Sequence, residues 1–360
     1  MKAAVANLET GCILAKDVMG LSSYPLLPKS TILTEQHIEV LQAFSIEDVH
    51  VESVKIDGTV FYQSPVTKTQ VTQMNGKEKL TFIQHYFKVV QEYKKEFISW
   101  QSGSAINIAK IRNLFLPLFQ DLEKEQHALY FLTHHSSKNE YVYHHGIAVG
   151  LLSGMIAKKL KYDQGSCIQV ALAGVLSDCG MARVSPAILF KRTPLTAMEF
   201  NEIKLHTTNS YQMVKNTPFL KTEAKLAIYQ HHERLDGSGY PRAERKDKIH
   251  PYSQIIAIAD IYHAMTSEKN YRSKQSSFKV LEMIREDSFG KLNSVVVDSA
   301  IQLLANLPKG TNVRLSDGQE GEVLFTKKEE MTRPLIQTLK SGQIIDLTKM
   351  RDVYIESVIS

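Results

Sequence analysis

The sequence predicts a mainly α-helical protein with a small α/β unit at its N-terminal end and a small β appendage at its C-terminal end. Three observations carry that reading. Apolar residues recur at three and four through residues 77–134 and again in blocks from about 140 to 305, the period of helices with a buried face. Short apolar runs set among Gly, Ser and Pro open the chain, as in small strands. Past residue 307 the apolar runs shorten again and alternate, with Ser316-Asp317-Gly318 placed as a hairpin turn.

Taken in order, Gly11 to Ala15 and Leu26-Leu27 read as strands, and Thr34 as the N-cap of a helix with apolar positions at Ile38, Leu41 and Phe44. Residues 46–54 alternate like a strand. His37 and His50 lie here, far from any partner, and read as exposed or locally bonded. Residues 57–76, rich in Thr, Gln, Ser and Gly, read as a linker. Leu80, Ile83, Phe87 and Val90 mark one helix. Ile108, Ile111, Phe115, Leu118 and Leu122 mark another over 107–133, with Pro117 as its kink. The aromatics of these helices suit a core or a dimer face better than a ligand box. Beyond them, an apolar helix runs through Val149, Leu152 and Ile156. A nearly all-apolar one from Gln169 delivers Ser177-Asp178-Cys179-Gly180. A third, capped by Thr196 with Glu199 three residues on, carries His206. A helix over 222–230 ends in His231-His232 and is stopped by Asp236-Gly237-Ser238-Gly239. The run from Gln254 to Met265 is apolar except for Asp260. Strands at 313–315, 321–324, 334–337, 344–347 and 353–358 complete a barrel-like appendage.

With 360 residues, two or three domains are expected. The division runs 1–56 (small α/β domain), 57–76 (linker), 77–134 (connecting helices), 135–307 (central helical domain) and 308–360 (small β domain). A net charge of +5 excludes a nucleic-acid-binding tail and favours an anionic ligand only slightly. Cys12, Cys167 and Cys179 form an odd set without framework spacing, which points to a reducing compartment. The start of the chain lacks a basic-then-apolar leader, and no uncharged apolar run approaches the roughly 18 residues of a membrane span. The expectation is a cytoplasmic protein.

Six groups stand out at or near predicted helix ends: His145, Asp178, His206, His231, His232 and Asp260. A lone carboxylate on a buried helix is costly unless paired, which marks Asp178 and Asp260. Adjacent helical histidines point about 100° apart, so His231 and His232 should face two neighbouring centres, or one centre and its surroundings. Helical bundles assemble metal sites in this way. Imidazole and carboxylate without a thiolate cluster suit iron, manganese, zinc or nickel. Two such ions side by side would hold a phosphodiester and activate water for in-line attack.

The run His231-His232-Glu233-Arg234-Leu235-Asp236-Gly237-Ser238-Gly239-Tyr240-Pro241 resembles the signature of the HD-GYP family, bacterial metal-dependent phosphodiesterases that hydrolyse the second messenger cyclic-di-GMP. The resemblance extends over about residues 130–305 in ordered motifs. They are His145 with Val149, Asp178-Cys179-Gly180, Ser185-Pro186-Ala187-Ile188-Leu189, Leu195-Thr196, Ile203-Lys204-Leu205-His206, Ile258-Ala259-Asp260-Ile261-Tyr262, and Ala264-Met265-Thr266-Ser267 with Tyr271-Arg272. It implies a helical HD-domain bundle for the central domain. It further implies that Asp178 bridges two metals, with His145 and Asp260 on one and His206 and His231 on the other, and His232 at a third site where one exists. One or two divalent transition ions are expected, iron or manganese first, zinc or nickel next. Tyr240 would lie near the guanine, Arg272 near phosphate with Lys269 beside it, and Gly237, Gly239 and Pro241 in the ligand loop.

Departures from the family pattern matter equally. Ser177 stands where the family carries the histidine of its name, and a hydroxyl is a poor ligand beside imidazole. Met181 stands where it carries lysine, exchanging a phosphate-facing cation for a thioether. Tyr141 occupies the position of a glutamate found in members with three metals, His263 replaces an aspartate, and Lys269 an arginine. Cys179 and His144 point away from the expected site and are not counted as replacements. The leading expectation is a metal-binding protein of this family with weak or no phosphodiesterase activity, acting through cyclic-di-GMP, a related guanine nucleotide or a protein partner, with a homodimer compatible. The alternatives are a working cyclic-di-GMP phosphodiesterase and an interaction scaffold without nucleotide.

Overall fold

The computed structural model describes residues 1–19, 25–44, 46–56, 58–61, 81–133, 140–191, 193–267 and 275–359. Most of the expected 57–76 linker, together with Lys269, Tyr271 and Arg272, lies outside the described residues. Two compact units are present, Met1–Tyr86 and Phe87–Ile359.

The first unit contains β1 (Lys2–Ala4), β2 (Val18–Met19), β3 (Pro25–Leu27), α1 (Glu35–Ala43) and β4 (Asp48–His50). β1 pairs antiparallel with β4, Ala3 opposite Val49, and β2 pairs antiparallel with β3. Thr34 caps α1 by accepting the His37 N–H, and His37 Nδ1 accepts the Thr34 N–H in return. His37 is therefore a capping residue, in line with its reading as locally bonded. Ala3, Leu14, Leu33, Leu41, Val49, Val51 and Phe61 form the core.

α2 (Phe82–Gln101) enters the second unit from Phe87. Next come α3 (Ile108–Lys124), α4 (Tyr141–Lys159), α5 (Gln164–Leu176) and α6 (Pro186–Leu189). They are followed by α7 (Ala197–Lys204), α8 (His206–Val214), α9 (Thr222–Gln230), α10 (Pro251–Thr266), α11 (Ser277–Asp287) and α12 (Ser294–Leu304). The single helix expected over 107–133 is interrupted. Asn107 caps α3 as an acceptor for the Lys110 N–H, and Pro117 sits inside it, but Glu125 leaves helical angles (φ −118°, ψ 61°) and a 3-10 turn covers Gln126–Thr133. His206 likewise starts its own helix after a break at Leu205 and is not carried by the helix that Thr196 caps.

The C-terminal sheet, β5 (Asn312–Leu315), β6 (Glu320–Phe325), β7 (Leu335–Thr338), β8 (Ile344–Asp346) and β9 (Ile355–Ile359), is antiparallel in the order β8-β7-β6-β5-β9. It is an open sheet, with β8 and β9 at its edges, where a barrel-like closure was expected. Arg333 binds both carboxylate oxygens of Glu282 on α11 (2.8 and 2.9 Å) and four backbone carbonyls of the 347–353 segment.

α4 and α5 form the centre of the second unit. α4 is buried from Tyr143 to Ala157 and α5 from Val170 to Leu176, so neither shows the one-sided apolar face of a surface helix there. The 164–183 stretch has the length and mean hydropathy (1.3) of a membrane span, but 67% of it is buried in the bundle and Asp178 interrupts it. The two helices touch at glycine. A Cβ on Gly150 would stand 2.3 Å from Val175 Cγ2 and 3.0 Å from the Ala171 carbonyl oxygen, and one on Gly174 would be 3.0 Å from Gly150 Cα. This contact sets how close His145 on α4 comes to Asp178 beyond α5. Gly150→Val should destabilise the protein by about 1–3 kcal/mol through overpacking, lowering the midpoint of chemical denaturation. An unchanged midpoint would mean that the helices have room to part.

Candidate metal centre

The residues singled out as ligands converge. Asp178 follows the end of α5, His206 opens α8, and His231 and His232 follow α9 directly. One ligand atom from each of the four lies within 4.8 Å of every other. The two adjacent histidines are not divergent, because α9 stops at Gln230 and the chain turns there. Their rings lie 4.1 Å apart, and both serve the same cluster.

Backbone carbonyls set the chemistry of this cluster. His206 Nδ1 lies 2.7 Å from the Ile203 carbonyl oxygen, and His231 Nδ1 lies 2.7 Å from that of Ile228. A carbonyl only accepts, so both Nδ1 atoms carry the proton and both Nε2 atoms of the neutral rings present lone pairs. Those Nε2 atoms are 3.3 Å apart, and Asp178 Oδ1 lies 3.2 Å from His206 Nε2 and 3.4 Å from His231 Nε2. Asp178 Oδ1 is buried and has no hydrogen bond of acceptable geometry. Three electron-pair donors therefore face one another, an arrangement that requires a cation, either a proton or a metal ion. The donor set fits a divalent transition ion.

Electrostatics agree with the geometry. Burial alone would raise the Asp178 carboxyl, but His206, His231 and His145 outweigh it and hold it well below the usual carboxylate range. Burial pushes His206 down, and Asp178 more than compensates, leaving it raised. His232 is driven well below the ordinary value by burial and then by His231, so it stays neutral and able to ligate.

His145 and Asp260 form the adjoining half. His145 Nε2 is 3.0 Å from Asp260 Oδ1 and 3.6 Å from Asp178 Oδ2, and His232 Nδ1 is 3.7 Å from Asp260 Oδ2. The other side of the His145 ring is occupied too: Nδ1 lies 2.9 Å from His263 Nδ1 and 3.1 Å from the Tyr141 hydroxyl. The Ser177 hydroxyl donates to the Gly174 carbonyl of the preceding helix (2.9 Å). Cys179 turns to the Ser210 carbonyl and burial pushes its thiol up to about 12, so no thiolate is on offer. His144 packs edge-on against Phe87.

Sequence reading missed Ser210. It lies one turn after His206, donates to the Ser177 carbonyl (2.7 Å) and accepts the Gly180 N–H (2.8 Å), tying the Asp178 turn to α8. Its i, i+4 spacing from His206 was the available signal. Gly180 is required there, since a Cβ would lie 2.2 Å from the His206 carbonyl oxygen.

A cleft of about 290 Å³ opens over these groups. His145, Asp178, His206, His232 and Asp260 line its floor, with Met181, Lys191, Phe200 and Tyr240 among the walls. Of the expected loop contacts, Tyr240 lines the cleft, while Gly237, Gly239 and Pro241 are not among its lining residues. The close approach expected at Gly239 is made to the chain itself: a Cβ there would lie 2.3 Å from the His232 carbonyl oxygen. Gly237 adopts φ +80° beside Arg245. Glu233, also unforeseen, closes the loop by accepting the N–H groups of Arg242 and Glu244.

A helical bundle that gathers histidine and aspartate from several helix ends defines an HD-type domain. Residues 129–290 match the HD domain family. Over 253 residues the chain is 27% identical to a cyclic di-GMP phosphodiesterase of Pseudomonas aeruginosa, covering 68% of this chain and 61% of that protein. It is 30% identical over 242 residues to a cyclic di-GMP phosphodiesterase of Thermotoga maritima (66% and 59%). It is 35% identical over 152 residues to a 3'3'-cGAMP-specific phosphodiesterase of Vibrio cholerae (42% and 33%). The alignments thus span about three fifths of the length of the first two relatives. The fold is similar to that of a HDG"Y"P protein from Bdellovibrio bacteriovorus, with a TM-score of 0.53 at 12% identity over 85% of this chain and 99% of that one. Together these similarities support an HD-GYP family protein, with residues 129–290 as its HD domain.

Metal occupancy of the cluster should depend on pH. A proton on His206 competes with the ion, and Asp178 raises the pH at which that proton binds. Affinity is therefore full at high pH and falls as pH drops, with the loss beginning above the ordinary imidazole value of about 6.5. Chelator competition across that range measures it. A flat profile would contradict the assignment of the imidazole nitrogens as ligands.

Proposed function

We propose that the chain is a metal-binding cyclic-dinucleotide protein of the phosphodiesterase type with one complete metal centre and one impaired one, so that hydrolysis is weak or lost. In this reading Asp178 would serve both centres, His206 and His231 would help hold one ion and His145 and Asp260 the other, with His232 beside both. The observation that carries it is a contrast. The His206 and His231 Nε2 atoms and Asp178 Oδ1 converge with no proton donor between them, whereas the Ser177 hydroxyl is committed to its own helix.

A divalent transition ion, iron or manganese before zinc or nickel, would polarise a phosphodiester oxygen and acidify a bound water. The chain's own groups do the rest. His206 and His231, locked in one tautomer, keep their Nε2 atoms aimed at the centre. Asp178, held ionised, carries the negative charge that retains the ion. Met181 lines the cleft but gives no donor to a developing phosphorane charge. A missing donor of this kind costs about 10²–10³-fold in rate.

The names of the relatives, cyclic di-GMP and 3'3'-cGAMP phosphodiesterases, support a cyclic dinucleotide containing guanine as the ligand. Tyr240, whose ring stacks on His232 at 4.7 Å, is the aromatic wall for a base. Lys269 and Arg272 are assigned to phosphate on the family resemblance alone, with Gly237, Gly239 and Pro241 shaping the loop.

A working phosphodiesterase is the second reading. It is favoured by His145 Nε2, which stays within 3.6 Å of Asp178 and 3.0 Å of Asp260, so that water would complete the coordination there. Metal content and cyclic-di-GMP turnover of the natural chain and of a Ser177→His, Met181→Lys variant separate the two. The first reading predicts about one ion and little turnover in the natural chain, and a gain of metal with about 10²-fold or more turnover in the variant. Two ions and turnover of about 1–10³ s⁻¹ in the natural chain would transfer the conclusion to the second reading.

A further inference from the structure

Lys191 lines the cleft, but both oxygens of the Glu199 carboxylate hold its ammonium at 2.7 Å, so its charge is already spoken for. Lys204, the last residue of α7, is placed differently. Its ammonium lies 4.8 Å from the centre of the Phe200 ring and 5.7 Å from that of Tyr240, and both rings line the cleft. Among the described residues no carboxylate lies within ion-pair distance of it. The turn that positions Lys204 also pins His206, through the Ile203 carbonyl. Tyr240 in turn stacks on His232 (4.7 Å between centres, 27° between planes), so the ammonium stands one aromatic ring away from the ligand cluster.

Ring faces hold a cation more weakly than a phosphate oxygen does, because the quadrupole offers no charge-assisted hydrogen bond. An ammonium parked between two rings is thus poised to exchange partners when an anion arrives. A cyclic dinucleotide carries two phosphodiesters joined through two nucleosides. A metal centre at Asp178 takes one of them, and the second is left for the cations around the cleft, of which Lys204 stands beside the ring walls. We propose that Lys204 binds the second, unreacting phosphodiester of a cyclic dinucleotide, while Phe200 and Tyr240, relieved of the ammonium, receive a purine. This inference rests on the cyclic-dinucleotide reading above.

Equilibrium binding of cyclic-di-GMP and of GMP to the manganese-loaded full chain tests it, comparing the natural protein with Lys204→Met and Lys204→Arg. GMP has a single phosphate and no second phosphodiester for Lys204 to reach. Lys204→Met should weaken cyclic-di-GMP binding about 10- to 100-fold and leave GMP within about twofold, with metal content and melting temperature unchanged. Lys204→Arg should keep cyclic-di-GMP within about threefold, because the charge is retained. Unchanged cyclic-di-GMP affinity in Lys204→Met, an equal loss for GMP, or a loss of metal content would each overturn the inference while the proposed function stands. A natural chain that binds neither nucleotide would remove the proposed function, and the inference with it.

Discussion

Two backbone carbonyls, those of Ile203 and Ile228, hold the Nδ1 protons of His206 and His231 and so turn both Nε2 lone pairs toward Asp178. Everything distinctive about the second unit follows from that pair of bonds. A protonated Nδ1 leaves the other nitrogen a ligand, and two ligand nitrogens and a carboxylate oxygen within 3.2–3.4 Å of one another repel unless a cation joins them. The low carboxyl titration of Asp178 and the raised one of His206 express the same demand when a proton fills the role. The centre is preorganised at a cost, and a bound metal ion offsets it.

Close packing delivers these groups to one place. Gly150 and Gly174 let α4 and α5 meet at backbone distance, and Gly180 lets the Asp178 turn lie against the start of α8, where Ser210 bonds both Ser177 and Gly180. Ser177 is held by the same bonding: its carbonyl is part of the tie to α8 and its hydroxyl returns to Gly174. On the other side of Asp178, His145 is gripped between Asp260 and the pair His263 and Tyr141. That half of the cluster is thus held from both sides.

The helical bundle and the convergence of most candidate ligands were legible in the sequence for simple reasons. A carboxylate on an otherwise apolar helix, as at Asp178 and Asp260, is a conflict that only a partner resolves. α9 ends at Gln230, as its apolar pattern suggested, but it does so before the two histidines and not at the glycine-rich run after them. Helix breaks were harder to read. Nothing local marks Glu125 as the end of α3 or Leu205 as a hinge before His206, because both residues suit a helix and tertiary packing decides. The convergence of His231 and His232 on one cluster was also hidden, since the 100° argument holds only while the helix continues. Lys191, Lys204 and Ser210 were illegible as site residues because a lone lysine or serine on a helix is usually just solvated or capping, and only the fold brings Lys191 to the cleft, Lys204 to two of its wall rings and Ser210 to the Asp178 turn.

The central claim is that Asp178, His206, His231 and His232 hold a transition ion with imidazole Nε2 ligation from His206 and His231. Anomalous diffraction at the metal edge from crystals grown with iron or manganese tests it directly. The account predicts one strong peak within bonding distance of Asp178 Oδ1 and both Nε2 atoms, and a weaker or absent one beside His145 and Asp260. Two peaks of equal strength would show that the Ser177 position costs the second centre nothing. No peak at the cluster, with those nitrogens still 3.3 Å apart, would contradict the account outright.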